Sequence, residues 1–395
     1  VGLLVLAIAG VCRPASAHVK SASWSTWAVD GEEAAVRVRV SRGDLSERPR
    51  FARLAESPGP DDEQALETYL EQSIRAEGPS GPCPVAAASR RVLAGEDGFL
   101  LRAWRVRCRG GGPVRIVSDL LVSEIPSHLH FAVLEREDGS VAERLLTRES
   151  PEWPIGRGEA ASTGILDFVG LGIRHVATGP DHIVFVLALL VAASSLRAVA
   201  GVVTGFTLGH SVTLALAVLG GVRPDVSTVE ALVGASIAVV AVENVWLERR
   251  DPWVARGLVV CLCAVAAACG SMGRSPALAL AGLALFVACY HGLLARMRRP
   301  ARLRWTIAAL FGTVHGLAFS GALAEMHLPR ARLAGALFGF NVGVEMAQLA
   351  LVGLAWPLWR ILSRTRARTT AIDVTSAAAL GAGAFWLIDR AFRAP

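Results

Sequence analysis

Apolar and polar positions follow two regimes along the chain. Over residues 18–155 they alternate in short bursts, "AAVRVRV" (34–40), "LLRAWRVRC" (100–108) and "HLHFAVLE" (128–135), with Gly and Pro between them. A period of two buries one side of an extended chain and leaves the other in water, so these bursts predict half-buried strands. One segment has the other period. "DDEQALETYLEQSIRA" (61–76) opens with acids and carries Leu66, Tyr69, Leu70 and Ile74 at helical spacing, which predicts a short helix. The expectation is a small, mostly-β domain over 18–155, followed by a turn-rich linker at 156–163.

From residue 164 to 395 the pattern changes to long apolar runs broken by short basic loops. It divides into seven or eight candidate transmembrane spans, near 164–194, 198–219, 227–247, 256–272, 276–295, 303–325, 332–361 and 372–391. The expected fold is therefore a polytopic α-helical membrane bundle preceded by an extracytoplasmic domain. At the other end, "VGLLVLAIAGVCRPASA" has a short apolar core followed by Ala15, Ser16 and Ala17, the pattern of a cleavable signal peptide over 1–17.

Composition agrees with this division. Of 395 residues 53% are hydrophobic and 19% charged, and the mean hydropathy is +0.45, too apolar for an ordinary soluble protein. The formal net charge of +6 would suggest a nucleic-acid partner if it were clustered with aromatic residues. Instead the arginines alternate between loops: Arg249, Arg250, Arg299, Arg304, Arg364 and Arg368 fall on one side, and few fall on the other. That asymmetry orients the bundle in an inner membrane with the front domain outside, and counts Arg390 among the outer charges. Cys83 and Cys108 then lie in an oxidising compartment and are candidates for a disulfide.

Ionisable groups inside apolar runs are costly unless paired, hydrated or bound to an ion. "GIRHVATGPDHIVFVLALLV" (172–191) carries His175, Asp181 and His182. The histidines are seven residues apart, two helical turns, and Gly179-Pro180 between them should break or kink the helix. "GFTLGHSVTL" adds His210, "FGTVHGLAFSGAL" adds His315, and "FGFNVGVEMAQL" adds Glu345, with Asn341 one turn earlier as its alternative partner. Imidazole with carboxylate suits first-row divalent metals. Glu243, close to a basic loop, and His291, expected to snorkel to the interface, are left outside this set. In the front domain His18, His128 and His130 could touch metal, although a strand such as "HLHFAVL" more often turns its polar side chains to solvent.

These residues resemble the HupE/UreJ family, in its second subgroup. The likeness rests on H-x-x-x-x-x-D-H (175–182), "FTLGHS" (206–211), "HGLAF" (315–319) and "FNVGVE" (340–345). It implies a nickel or cobalt permease whose metal residues are His175, Asp181, His182, His210, His315 and Glu345. A transition-metal ion and the bilayer are the implied partners, with a periplasmic or outer-membrane protein as a source of metal and no resident cofactor. One departure stands out: Val314, Ser320 and Ala322 stand where the family's pattern around the later histidine, F-H-G-x-A-x-G-x-E, has Phe, Gly and Glu. An enzyme is not expected, since there is neither an H-E-x-x-H zinc motif nor a nucleophile signature. A metal-dependent intramembrane enzyme and a non-transporting sensor or assembly subunit are the alternatives.

Overall fold

The computed structural model describes residues 21–46, 48, 51, 60–86, 91–93, 99–126, 128–136, 141–155, 164–220, 222, 225–296, 301–324 and 330–392. The expected signal peptide, His18, the linker and Glu325 lie outside them, as do the side chains of Ser320 and Ala322. His18–Gly164 and Ile165–Pro395 belong to separate compact units.

In the first unit, strands form where the alternation predicts them. β1 (Ala22–Asp30), β2 (Glu33–Ser41), β5 (Arg91–Leu93), β6 (Phe99–Arg107), β8 (Leu129–Glu135) and β9 (Val141–Leu146) make one sheet, in the order β5-β6-β2-β1-β8-β9. The pairing is antiparallel except between β1 and β8. A second sheet orders β10 (Glu152–Pro154), β7 (Arg115–Ser118), β3 (Ile74–Gly78) and β4 (Gly81–Pro82). In β2 the even positions Val36, Val38 and Val40 enter the core with Trp27, while Arg37 is exposed, so the period-two pattern is the burial pattern.

Among the described residues two helices interrupt the strands, α1 (Arg42–Ser46) and α2 (Pro60–Ser73). Leu66 and Leu70 of α2 are fully buried. The helix is shorter than the periodicity predicts, because Ile74 already pairs with Ser118 of β7 as a strand residue. Extended pairing suits the β-branched Ile74 better than another helical turn does. Cys83 and Cys108 are disulfide-bonded, with 4.4 Å between their Cα atoms. Bridges of this kind typically contribute about 2–5 kcal/mol to small domains.

The histidines of β8 and its approach do not face solvent. His128 and His130 are 1% and 2% exposed, on the face that carries Ser23, Ser25 and Trp27. His128 bonds Ser21 through Nδ1 and Ser23 through Nε2; His130 bonds Ser23 and Ser25 at 2.7 and 2.8 Å; Trp27 donates to Ser25. The serine column of β1 satisfies their polarity inside the sheet, which is why they can be buried. All four imidazole nitrogens are thus occupied.

Burial pushes the pKa of both imidazoles down to about 3. An unfolded chain accepts these protons near pH 6.5 and the folded domain only near 3, so stability is complete above about 6.5 and is lost as pH falls through this window. The expected slope is about 1.4 kcal/mol per pH unit for each histidine. Denaturant titrations followed by tryptophan fluorescence between pH 7 and pH 4 measure it, and replacing both histidines with Gln should flatten it.

Among the described residues, the regular elements of the second unit are all helices. α3 (Ile165–Thr178) and α4 (Pro180–Val191) are followed by α5 (Leu196–Val218), α6 (Val226–Arg249), α7 (Pro252–Ser271), α8 (Pro276–Arg296), α9 (Ala301–Ala324), α10 (Arg330–Leu362) and α11 (Arg368–Phe392). Ser195, Asp225 and Asp251 cap the starts of α5, α6 and α7 by accepting from backbone amides. Among the described residues six helices are long and apolar enough to cross a membrane, seven when α3 and α4 count as one bent span. The eighth expected segment is α9, a helix of 24 residues.

Glycines decide which helices touch. Gly209 of α5 lies against the Ala309 carbonyl of α9, and Gly312 and Gly316 of α9 lie against the Phe206 and His210 carbonyls of α5. Gly172 of α3 meets Phe340 of α10, while Gly339 and Gly343 of α10 meet Ile165 and Val169 of α3. Gly234 and Gly383 make the same approach between α6 and α11. Without a hydrophobic drive between helices in lipid, close backbone packing of this kind holds a bundle together.

Candidate metal site

The site begins at the break in the first span. Gly179 is extended (φ −90°, ψ 99°) and Pro180 opens α4 at a position where its missing amide costs nothing, so the chain bends by 75°. On a straight helix His175 and His182 would be about 10 Å apart along the axis. The bend brings their ring centroids to 4.5 Å. They meet because the helix breaks, and not because they share a helical face as their spacing predicts.

Two more imidazoles join them. His175 lies 6.1 Å from His210 of α5, and His182 lies 5.4 Å from His315 of α9, again between centroids. All four rings are buried: His175 and His182 are 5% and 6% exposed, His210 and His315 0% and 1%. Phenylalanines enclose the group. Phe319 and Phe340 stack on one another beside His175, and Phe185 and Phe206 stand 5.1 and 4.9 Å from His315.

The hydrogen bonds around two of these rings fix their tautomers. Nδ1 of His182 lies 3.0 Å from Asp181 Oδ1. A carboxylate only accepts, so Nδ1 carries the proton and Nε2 keeps its lone pair. Ser236 of α6 donates to the Val233 carbonyl and lies 3.0 Å from Nε2 of His315. With the hydroxyl proton already spent, Nε2 of His315 donates and Nδ1 keeps the lone pair. These two lone-pair nitrogens, with both nitrogens of His210, are buried without a partner. A buried polar atom left in this state costs about 1–3 kcal/mol. A neutral imidazole keeps one proton, so His210 supplies one lone pair and the enclosure holds three, a set that suits a ligand accepting electron pairs.

Asp181 is tied on both sides. Its second oxygen accepts from Nη2 of Arg390 at 3.0 Å, and Arg390 also donates to the Glu230 carbonyl. The loop asymmetry counts Arg390 as an outer charge, yet it is 4% exposed. Its charge is balanced by Asp181 inside the bundle. The apolar helix around it, "AFWLIDRAF", is the signal that marks it as more than a loop arginine.

The chain matches the HupE / UreJ protein family model over residues 154–263 and 257–390. It belongs to the HupE/UreJ family. No curated protein matches the chain. The matched region of this HupE/UreJ protein contains every residue of the histidine group, together with Ser236 and Arg390, and leaves most of the front domain outside.

The remaining polar residues of the HupE/UreJ region sit elsewhere. Glu345 accepts from Thr204 at 2.6 Å and not from Asn341, whose amide donates to the Leu337 carbonyl. Thr204 precedes His210 by six residues, about 9 Å along α5, so Glu345 occupies a separate level. Glu243 is buried in an ion pair with Arg304 at 2.7 Å. His291 does not snorkel: it is 7% exposed, bonded to the Val287 carbonyl and packed on Trp246. Among the described residues, no three His, Cys, Asp or Glu side chains already converge on one point as a metal site.

Proposed function

We propose that this chain is an inner-membrane permease that takes a divalent transition metal, nickel or cobalt, from the extracytoplasmic side into the cell. One observation carries the reading: buried lone-pair nitrogens of His182 and His315, with their tautomers fixed by Asp181 and Ser236, in an enclosure shared with His175 and His210. A carboxylate or hydroxyl behind an imidazole raises its basicity and holds its ring, which is the usual support of a metal ligand. Family membership points to the same class of substrate.

The ring separations suit a series of stations better than one closed cage. An ion enters between His175 and His210 or between His182 and His315, and small rotations of the rings bring nitrogen to bonding distance of about 2 Å. Asp181 acts in this reading as a positioning residue, held by Arg390, and Glu345 is a polar contact on another level. Phenylalanine walls keep water out and strengthen each donor's hold on the charge.

The test is uptake of radiolabelled nickel, cobalt and zinc by cells that differ only in this chain. Uptake of nickel or cobalt that depends on the chain supports the proposal, and identical uptake of all three with and without it overturns it.

A further inference from the structure

A second polar hollow lies at the end of the bundle where α4, α6 and α10 finish and α11 begins. Its volume is about 370 Å³. Trp356, Trp359, Arg360, Arg364, Asn244 and Glu248 contribute to its walls, with Arg368 at the first turn of α11. None of the four clustered histidines lines it.

Charge in the hollow is unbalanced. Arg368 pairs with Glu248 at 2.6 Å. Arg360 and Arg364 are exposed, and their guanidinium groups have no hydrogen-bond or ion-pair partner among the described residues. The first turn of α11, a helix of 25 residues, adds amide donors and the positive end of its dipole. An anion is favoured there, and a bare divalent cation is disfavoured.

A second feature narrows the anion. Asn244 is 2% exposed and its Nδ2 donates to the Ala188 carbonyl at 2.8 Å, which fixes the amide's orientation. Its Oδ1 is left buried without a partner. The occupant therefore brings a donor as well as a phosphate. Tryptophans on the wall are the side chains that favour the headgroup level of a bilayer, and basic hollows between helix ends accept phospholipid headgroups.

We infer that this hollow binds the headgroup of a phospholipid whose phosphate is followed by a hydrogen-bond donor, as in phosphatidylethanolamine or phosphatidylglycerol. The phosphate meets Arg360 and Arg364, and the ammonium or hydroxyl meets Asn244 Oδ1. Phosphatidylcholine, whose quaternary nitrogen donates nothing, fits the arginines but not the amide.

Native mass spectrometry of the purified full chain, titrated with each lipid and with inorganic phosphate, tests this. Phosphatidylethanolamine or phosphatidylglycerol should bind about ten-fold more tightly than phosphatidylcholine. The double substitution Arg360→Gln, Arg364→Gln should weaken binding of all three lipids about ten-fold, since each brings the phosphate, without changing the melting temperature in lipid-free detergent. Arg256→Gln, an exposed arginine stacked on Trp253 outside the hollow, should leave binding intact. Equal binding of all three lipids would overturn the inference, as would an equal loss with Arg256→Gln. Binding of inorganic phosphate with the same dependence on Arg360 and Arg364 would overturn the lipid as occupant. Should the double variant not fold, Arg360→Gln alone is read against Arg256→Gln in the same way.

Discussion

His182→Gln is expected to reduce nickel and cobalt uptake by more than about 100-fold while the protein reaches the membrane at near wild-type levels. Gln keeps a donor and an acceptor for Asp181, so an interhelical hydrogen bond would largely survive it. What Gln does not supply is the lone pair of imidazole Nε2, which is buried without a partner in the native chain. His175→Gln should behave alike. Asp181→Asn leaves every imidazole in place but no longer fixes Nδ1 as the protonated nitrogen, so a smaller loss, about 10–100-fold, is expected. Val184→Leu looks silent from the sequence, since neither residue offers a donor atom. Its position is 1% exposed, however, and the substitution would overpack a full core. Ile183→Val, partly buried on the same helix, is the sounder control. Normal uptake of both metals by well-expressed His182→Gln protein would remove transport from this cluster.

Membership of that cluster was legible because each histidine interrupts an apolar run, where an unsatisfied imidazole is costly. Gly179-Pro180 likewise announced the break in the first span. The geometry that follows from the break was not legible: helical spacing explains a shared face on an intact helix, whereas His175 and His182 meet across a 75° bend. Ser236 and Arg390 were missed for a related reason. They lie 79 and 209 residues from the groups they bond, and a single sequence carries no signal of contact at that range. Glu345, whose place in "FNVGVE" suggested a ligand, bonds Thr204 through Oε1 and leaves Oε2 buried without a partner, a pairing no spacing announced. In the front domain, alternation located the strands but not the interior in which His128 and His130 are solvated by serines.

Gly312→Ala should open the seam between α5 and α9 and destabilise the bundle. A Cβ at Gly312 falls well inside contact distance of the Phe206 carbonyl and close to the His210 amide. Both are backbone atoms of α5, so no side chain can swing away to relieve them. The helices must separate, and Thr213, which donates to the Thr313 carbonyl across the same seam at 2.8 Å, is pulled from its acceptor. Overpacking of this kind costs about 1–3 kcal/mol and more when the backbone has to move. Gly201→Ala on α5 is the matched control, because nothing lies within 4 Å of its added methyl. There the change should be neutral or stabilise by about 0.5–1 kcal/mol through helix propensity. Thermal melts of both variants in detergent separate the two outcomes, and equal melting temperatures would remove the seam from the account. A separated seam also carries His210 away from His315, since each lies on one side of it. Gly312→Ala protein that still folds should therefore lose metal-dependent thermal stabilisation, although no donor atom has been touched.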